Sequence, residues 1–343
     1  MIHDFWKKAR YCYSFWQKNT VHVNLQLLSA CNFKCQICDF WQTPDASFLT
    51  LAQLEIISKQ LKAIGPQVIS IGGGEPLLYP DIISVVRLLS QNNFPVMICN
   101  GWYVTPALAK TLFQAGIYEV SISVDYANAA KHDAQRGMPG AFAKAVAALQ
   151  TLNENRVYPH QRVHMITVVM DDNLDEIEEL IKLAKEIGVT YLLTLYSDNR
   201  GSKAARYTAQ DTSSRLLSLK KKYPEFVALR GYIGRFSEAV QNGGIAPCYA
   251  GINLINISTA GNVSFCIDDL ANHAGNILSD DFSVILAKLK QQRQMSACKG
   301  CWTSCRGSIE TLMYGKNKLL NLWDYYQMTK DLKIPARQVH AKC

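Results

Sequence analysis

The chain has 343 residues, 48% of them hydrophobic, with 36 Lys and Arg against 28 Asp and Glu for a net charge of +8. That length and apolar content suffice for one large domain plus a smaller one, and the modest positive excess lacks the long basic runs of a dedicated nucleic-acid binder. No apolar run approaches the roughly 20 residues that a membrane span requires, and the N-terminus lacks the apolar core and cleavage site of a signal peptide, so the expected compartment is the cytoplasm.

In chain order, residues 1–20 form the first predicted element. Phe5, Trp6, Tyr11, Tyr13, Phe15 and Trp16 alternate there with Lys7, Lys8, Arg10 and Lys18. This composition fits an interfacial membrane helix. It is read instead as a helix packed on the domain, because long cationic side chains cover apolar surface.

VHVNLQLL, residues 21–28, alternates apolar and polar residues and predicts a strand. Thr50 and Gln53 form a capping box before a helix that stops at Gly65. Strands follow at 67–71, 94–99, 118–125, 162–170 and 190–197. Helices are predicted from Asp81, from Thr105-Pro106 to Gly116, over 140–153, and from Asn173 to Gly188. Six strands with five intervening helices predict a parallel sheet covered by helices, as a partial (β/α)6 TIM-like barrel. Ligands of such sheets bind at the C-terminal strand ends.

The alternation breaks after Ser197. Residues 198–247 are a polar, basic connection with a helix near 210–222. Residues 248–310 hold a hairpin (INLINIS and NVSFCI), a helix near 281–293 and the run CKGCWTSC; a last helix is predicted over 309–330. The expected domains are therefore an N-terminal segment (1–20), a barrel core (21–197), a helical connection (198–247), a small C-terminal domain with a hairpin and helices (248–310), and a helix with a tail (311–343).

The cysteines carry the chemistry. There are eleven, eight of them in two groups, and in a reducing compartment such groups are metal or cluster ligands rather than disulfides. The first group, CNFKCQIC, supplies Cys31, Cys35 and Cys38 from the loop after the first strand. Structural zinc takes four closed ligands, usually from two pairs. A four-iron four-sulfur cluster also takes four thiolates, so three local cysteines leave one iron open to a non-protein ligand.

This Cys-x3-Cys-x2-Cys run resembles the signature of the radical S-adenosylmethionine enzymes. Ile37 departs from it, standing where the family usually has an aromatic residue. In that family the open iron is chelated by the amino and carboxylate groups of S-adenosylmethionine, whose reductive cleavage yields a 5′-deoxyadenosyl radical that removes a hydrogen atom from the substrate. SIGGGEP, ending the second strand, is similar to the family's Gly-Gly-Glu-Pro motif and implies that Gly73, Gly74 and Glu75 bind the methionine amino group. Asn100, at a strand end, resembles part of the family's Thr-Asn-Gly. SISVDYANAAKHDAQRG resembles the Ser-x-Asp and His-Asp-x-x-Arg segments of the peptide-modifying branch. On that match Ser123 and Arg136 would hold the cofactor's carboxylate, with Asp125 a further candidate. A solvated helix-end arginine is the alternative for Arg136. Tyr126 replaces the branch's usual glycine.

The second cysteine group resembles a SPASM domain, the auxiliary-cluster module of many of these enzymes. Twelve residues separate Cys248 from Gly261, four more precede Cys266, and Cys298, Cys301 and Cys305 follow. A full SPASM domain has seven cysteines and two clusters. Five thiols, with Ile309 where a further ligand would fall, imply one auxiliary four-iron four-sulfur cluster of the shorter "twitch" kind, held by Cys248, Cys266 and two of the last three. Structural zinc is the alternative. Of the remaining cysteines, Cys12, Cys99 and Cys343, the buried-strand residue Cys99 fits a packing role; a hydrogen-atom donor is its sharper reading.

The resemblance implies an enzyme that abstracts hydrogen from a peptide or small-molecule substrate, with a net oxidation (dehydrogenation or carbon-centred bond formation) aided by the auxiliary cluster. A flavodoxin or ferredoxin would be the electron donor. An epimerase using a cysteine donor is the enzymatic alternative. A non-catalytic iron-sulfur or zinc-binding interaction protein is the alternative outside catalysis.

Overall fold

The computed structural model describes residues 2–43, 47–197, 200–203, 211–295, 298 and 301–329. Cys343, and the tail beyond 329, lie outside the described residues. Helix α1 spans Ile2–Trp16. Six strands follow, β1 (His22–Leu28), β2 (Val68–Gly73), β3 (Phe94–Cys99), β4 (Glu119–Ser123), β5 (Arg162–Val169) and β6 (Thr190–Leu195). Between them run α2 (Leu51–Ala63), α3 (Ile82–Ser90), α4 (Pro106–Ala115), α5 (Ala129–Arg136), α6 (Ala141–Glu154) and α7 (Ile177–Ile187).

Local chemistry sets these boundaries as the sequence predicts. Thr50 caps α2 reciprocally with Gln53, Asp81 caps α3, and Thr105 precedes Pro106 at the start of α4. Helices α4 and α7 end on Gly116 and Gly188 in left-handed conformation. Helix α5 is an addition to the predicted set. It is short and strongly polar, but Asn128 caps it and Gly137 ends it.

All six strands pair in parallel and in consecutive order. The sheet does not close on itself. Strand β6 pairs with β5, and its outer edge is covered by the segment around Phe226, where Tyr191 N donates to Glu225 O at 2.8 Å and Val227 N to Tyr191 O at 2.9 Å. Such cover removes an exposed strand edge.

The other edge, β1, is taken by the C-terminal region. Strand β7 (Leu254–Ile257) pairs with β1 in parallel, from His22 opposite Leu254 to Leu25 opposite Ile257. β8 (Asn262–Ser264) and β9 (His273–Asn276) continue antiparallel, giving one nine-stranded sheet. The predicted hairpin is present, joined by a third strand and fused to the barrel's sheet. Alternating residues specify a strand, not which edge it will find.

The connection holds three helices, α8 (Thr212–Lys222), α9 (Arg230–Ile233) and α10 (Phe236–Asn242), where the sequence predicted one. After β9 come α11 (Phe282–Met295), α12 (Ser304–Tyr314) and α13 (Lys318–Thr329). The single helix predicted over 309–330 is therefore two. The break falls at Gly315, where Asn321 Nδ2 turns back to the Thr311 carbonyl at 2.9 Å and satisfies an end-of-helix acceptor. One apolar core runs through both parts, from Leu25 and Ile71 to Ile255, Trp302 and Met313.

Candidate functional site

The C-terminal strand ends meet round a cavity of about 460 Å³. Cys31, Cys35 and Cys38 line it from the loop after β1, with Gly72–Glu75 at the end of β2, Cys99 and Asn100 at the end of β3, Ser123 from β4 and Arg136 from α5. The structure thus gathers residues more than a hundred positions apart in sequence, as strand-end placement requires.

The glycine run is built for close approach. A Cβ on Gly74 would lie 1.9 Å from the carbonyl oxygen of Ala30, so this loop can pass beside the start of the cysteine loop only without a side chain. Gly74 N and Glu75 N donate to Leu28 O and Ala30 O at 2.7 and 2.9 Å. At Gly72 a Cβ would meet nothing within 4 Å, so the bare position on the cavity wall is left for something other than packing.

Glu75 is almost wholly buried, and its carboxylate accepts from Leu77 N at 3.1 Å and Asn100 N at 2.8 Å. Burial pushes its pKa up to about 7, opposed by those hydrogen bonds and by Arg136. Asn100 in turn donates to Asn32 Oδ1 at 2.8 Å and accepts from Trp102 N at 2.9 Å. Both residues therefore brace the cavity wall against the cysteine loop.

Arg136 is 8% exposed, which overturns the solvated alternative. Its guanidinium lies 2.7 Å from Asp125, itself fully buried, and beside Cys35. Nη2 is the nitrogen paired with Asp125, while Nε has no hydrogen-bond acceptor among the described residues. A buried guanidinium on a cavity wall with a donor to spare is suited to an incoming carboxylate. Asp125 is held by Val168 N at 3.0 Å, and burial raises its pKa despite Arg136.

The three thiols are raised by burial above the ordinary cysteine value, Cys31 to about 11. They are protonated at neutral pH, so iron binding would release protons. Among the described residues no three His, Cys, Asp or Glu side chains converge closely enough for a single ion. Thiols spread round a cavity fit a cluster better than zinc, which draws its ligands to about 2.3 Å. Cys99 also lines the cavity, is 4% exposed, and is raised well above its ordinary value by burial.

A second cavity of about 190 Å³ is lined by Cys248, Cys266, Cys298, Cys301 and Cys305. Burial raises Cys248 to about 11 and Cys266 to about 12. Arg306 stitches its walls together. It donates to Ile245 O, to Cys301 O at 2.6 Å, to Pro247 O at 3.0 Å and to Glu310 Oε1 at 2.9 Å, and Glu310 accepts from Tyr249 N at 2.7 Å.

Sequence reasoning missed the residue between the cavities. Arg200 lines both. Its carbonyl accepts from Asp39 N at 2.7 Å, next to Cys38, while its guanidinium pairs with Asp268, two residues after Cys266. It also missed a cluster over the cysteine loop, where Lys203 Nζ donates to Asp172 at 2.7 Å and to Tyr126 Oη at 2.9 Å, and Lys203 N donates to Gln36 O at 3.0 Å. Tyr126, the departure from the family's glycine, was the one available signal.

His132, 1% exposed, supports the same wall by accepting from Asp125 N through Nδ1 at 3.1 Å. Burial and the Arg136 charge push its pKa down to about 3. The unfolded chain takes up a proton near pH 6.5 and the folded chain does not, so this stability is full above that pH and is lost as pH falls toward the folded value. Between about pH 6.5 and about pH 5 the expected loss is about 1–2 kcal/mol. Urea midpoints across that range should fall less for His132→Asn, which keeps an acceptor; equal falls would assign the pH dependence to other groups.

A six-strand parallel half-barrel with three cysteines, a glycine-rich loop and a buried arginine at its strand ends defines a class of cluster-dependent enzymes. Residues 25–184 match the Radical SAM superfamily. The chain is 32% identical over 191 residues to AdoMet-dependent heme synthase of Methanosarcina barkeri, a match covering 54% of this chain and 54% of that protein. It therefore spans about half the length of that relative. It is 29% identical over 301 residues to mycofactocin maturase MftC of Mycobacterium tuberculosis, covering 82% of this chain and 76% of the relative. Its fold is similar to that of anSMEcpe with bound AdoMet and Cp18Cys peptide, with a TM-score of 0.62 at 17% identity over 90% of this chain and 96% of that one.

Residues 25–184 thus carry a radical SAM superfamily match, and the members of that superfamily bind a four-iron four-sulfur cluster and S-adenosylmethionine.

Proposed function

We propose that this chain cleaves S-adenosylmethionine reductively and removes a hydrogen atom from a peptide substrate for a net oxidation, aided by one auxiliary cluster. The observation that carries the proposal is the one cavity lined by Cys31, Cys35, Cys38, the bare Gly72 and the buried Arg136, beside a second cysteine cavity with which it shares Arg200 and Ile267. When bound, the cluster and cofactor supply the 5′-deoxyadenosyl radical.

The chain's own residues do the rest. Cys31, Cys35 and Cys38 would hold the cluster through three of its irons, leaving the fourth open to the cofactor. Arg136, with Ser123 nearby on the cavity wall, receives the carboxylate, and Gly73–Glu75 the methionine amino group; Asp125 fixes the guanidinium. Asn100 keeps the Glu75 wall in place. Trp41, Ile98 and Leu270 line the cavity yet are 37–41% exposed, an apolar rim suited to a peptide side chain. The resemblance to a maturase and to a peptide-bound fold relative supports the peptide class.

Net oxidation removes one hydrogen atom, one electron and one proton from the substrate, and the electron needs an acceptor. Cys248, Cys266, Cys301 and Cys305 line the second cavity, Cys266 near both Cys248 and Cys301 and Cys305 near Cys301, and are the proposed ligands, with Cys298 exposed at its rim. The starting electron comes from a flavodoxin or ferredoxin. Epimerisation is the second reading, because Cys99 lines the cavity and could return a hydrogen atom.

Protein purified and reconstituted without oxygen should hold about eight irons and release 5′-deoxyadenosine on addition of S-adenosylmethionine and dithionite. Stoichiometric zinc with negligible iron and no 5′-deoxyadenosine would sink the proposal. Solvent deuterium found in product of unchanged mass class would move the assignment to epimerisation.

A further inference from the structure

Helix α1 packs on the domain as expected, but by one face. Tyr11 meets Phe94 edge-on at 5.5 Å, Ser14 is buried, and Lys7 Nζ reaches the carbonyls of Ser90 and Asn93 at 3.3 and 3.4 Å. The opposite face exposes Phe5 (65%), Trp6 (61%), Tyr13 (60%) and Trp16 (76%). Phe5, Ala9, Tyr13 and Trp16 fall at helical spacing along one stripe.

Helix α13 lies beside it. Lys18 Nζ stands 4.6 Å over the Tyr314 ring just before α13 begins, and Tyr325 is a neighbour of Tyr11 and Cys12. These two points make the helices antiparallel. α13 exposes Leu319 (85%), Leu322 (56%), Trp323 (56%) and Tyr326 (54%), again one stripe at spacings of three and four.

The described side chains of this layer carry an excess of positive charge. Lys8, Arg10, Lys18, Lys316 and Lys318 are exposed. Among the described side chains of the two helices the sole acid is Asp324, which is buried and paired with Arg230 at 2.7 Å. Large aromatic and aliphatic side chains flanked by an excess of cations match an interfacial helix layer, in which rings enter the headgroup boundary and cations meet anionic lipid. Protein interfaces are also rich in aromatic rings, but they are depleted of lysine, whereas Lys8, Lys18, Lys316 and Lys318 flank the rings of this face.

We propose that the α1/α13 layer docks this enzyme peripherally on an anionic membrane surface. No helix of the described chain is long and apolar enough to cross a membrane, so the association is with one leaflet. The layer sits at the strand starts, since Phe94 opens β3 and Tyr325 neighbours Tyr118 and Arg162 beside β4 and β5. The cavity is at the other end of those strands, so docking leaves its mouth toward the water phase.

The full-length protein is mixed with vesicles of phosphatidylcholine containing phosphatidylglycerol, or of phosphatidylcholine alone, and sedimented. Binding to the anionic vesicles should be at least about tenfold stronger, weaken with salt, and shift tryptophan emission to the blue. Trp16→Ser with Trp323→Ser, and separately Lys8→Glu with Arg10→Glu, should each lower it about tenfold or more while 5′-deoxyadenosine formation stays at the parent level. Equal partition into both vesicle types, or no loss in either double variant, overturns the proposal. So does a concentration-dependent dimer that Trp16→Ser with Trp323→Ser abolishes, since a second copy would then cover the face.

Discussion

Replacing Cys31, Cys35 and Cys38 together by alanine is expected to remove about four irons and all 5′-deoxyadenosine formation while leaving the second centre assembled. The three side chains line one cavity, and no other described cysteine there could replace them except Cys99, which burial keeps as an inert thiol. The second set has separate walls, fastened by the Arg306 hydrogen bonds to the carbonyls of Ile245, Pro247 and Cys301. Cys248→Ala with Cys266→Ala should therefore give the reverse result: about four irons lost, cofactor cleavage kept and substrate oxidation gone. Iron counting, electron paramagnetic resonance of the reduced protein and chromatography of the nucleoside read both. Continued cleavage by the triple variant would refute the assignment of the open cluster.

Arg136→Met is expected to cost about 3–5 kcal/mol in the cluster-free protein, because it leaves the Asp125 carboxylate buried without its counter-charge. Adding Asp125→Asn should recover much of that loss, since the amide oxygen still accepts from Val168 N. Urea denaturation of the single and double variants measures this coupling. S-adenosylmethionine binding separates the structural from the ligand role: the double variant should regain stability but not affinity, having lost the fork that receives the carboxylate. Affinity restored along with stability would make Arg136 a structural residue alone.

Much of the site was legible because its residues sit on loops whose identity is set by chemistry rather than by packing. Three thiols at spacings of four and three, and glycines followed by Glu-Pro after a strand, need no long-range information. Arg136 shows where legibility stops. Its sequence position gives a helix end, and whether that end faces water depends on how α5 packs against the cysteine loop. Helix α5 was missed for a related reason, as its eight residues carry almost no apolar periodicity, although Asn128 and Gly137 marked its ends.

The fold divides in the same way. Capping residues and strand alternation located β1 to β6 to within a few residues. The union of β7 with β1 was invisible, because edge pairing is decided by which strand lacks a neighbour once the chain has collapsed. Arg200 was likewise hidden in a polar stretch, and only its contacts with Asp39 and Asp268 reveal its place.

The pairing of β1 with β7 carries a mechanical consequence. Cys31 follows β1 by three residues and Cys266 follows β8 by two, and these strands belong to one hydrogen-bonded ladder with a spacing of about 4.8 Å between neighbours. One backbone ladder therefore ties together the starts of the two cysteine-bearing loops, unlike modules joined by a hinge. Electron exchange between the two sets would not wait on a rigid-body closure of one module on the other.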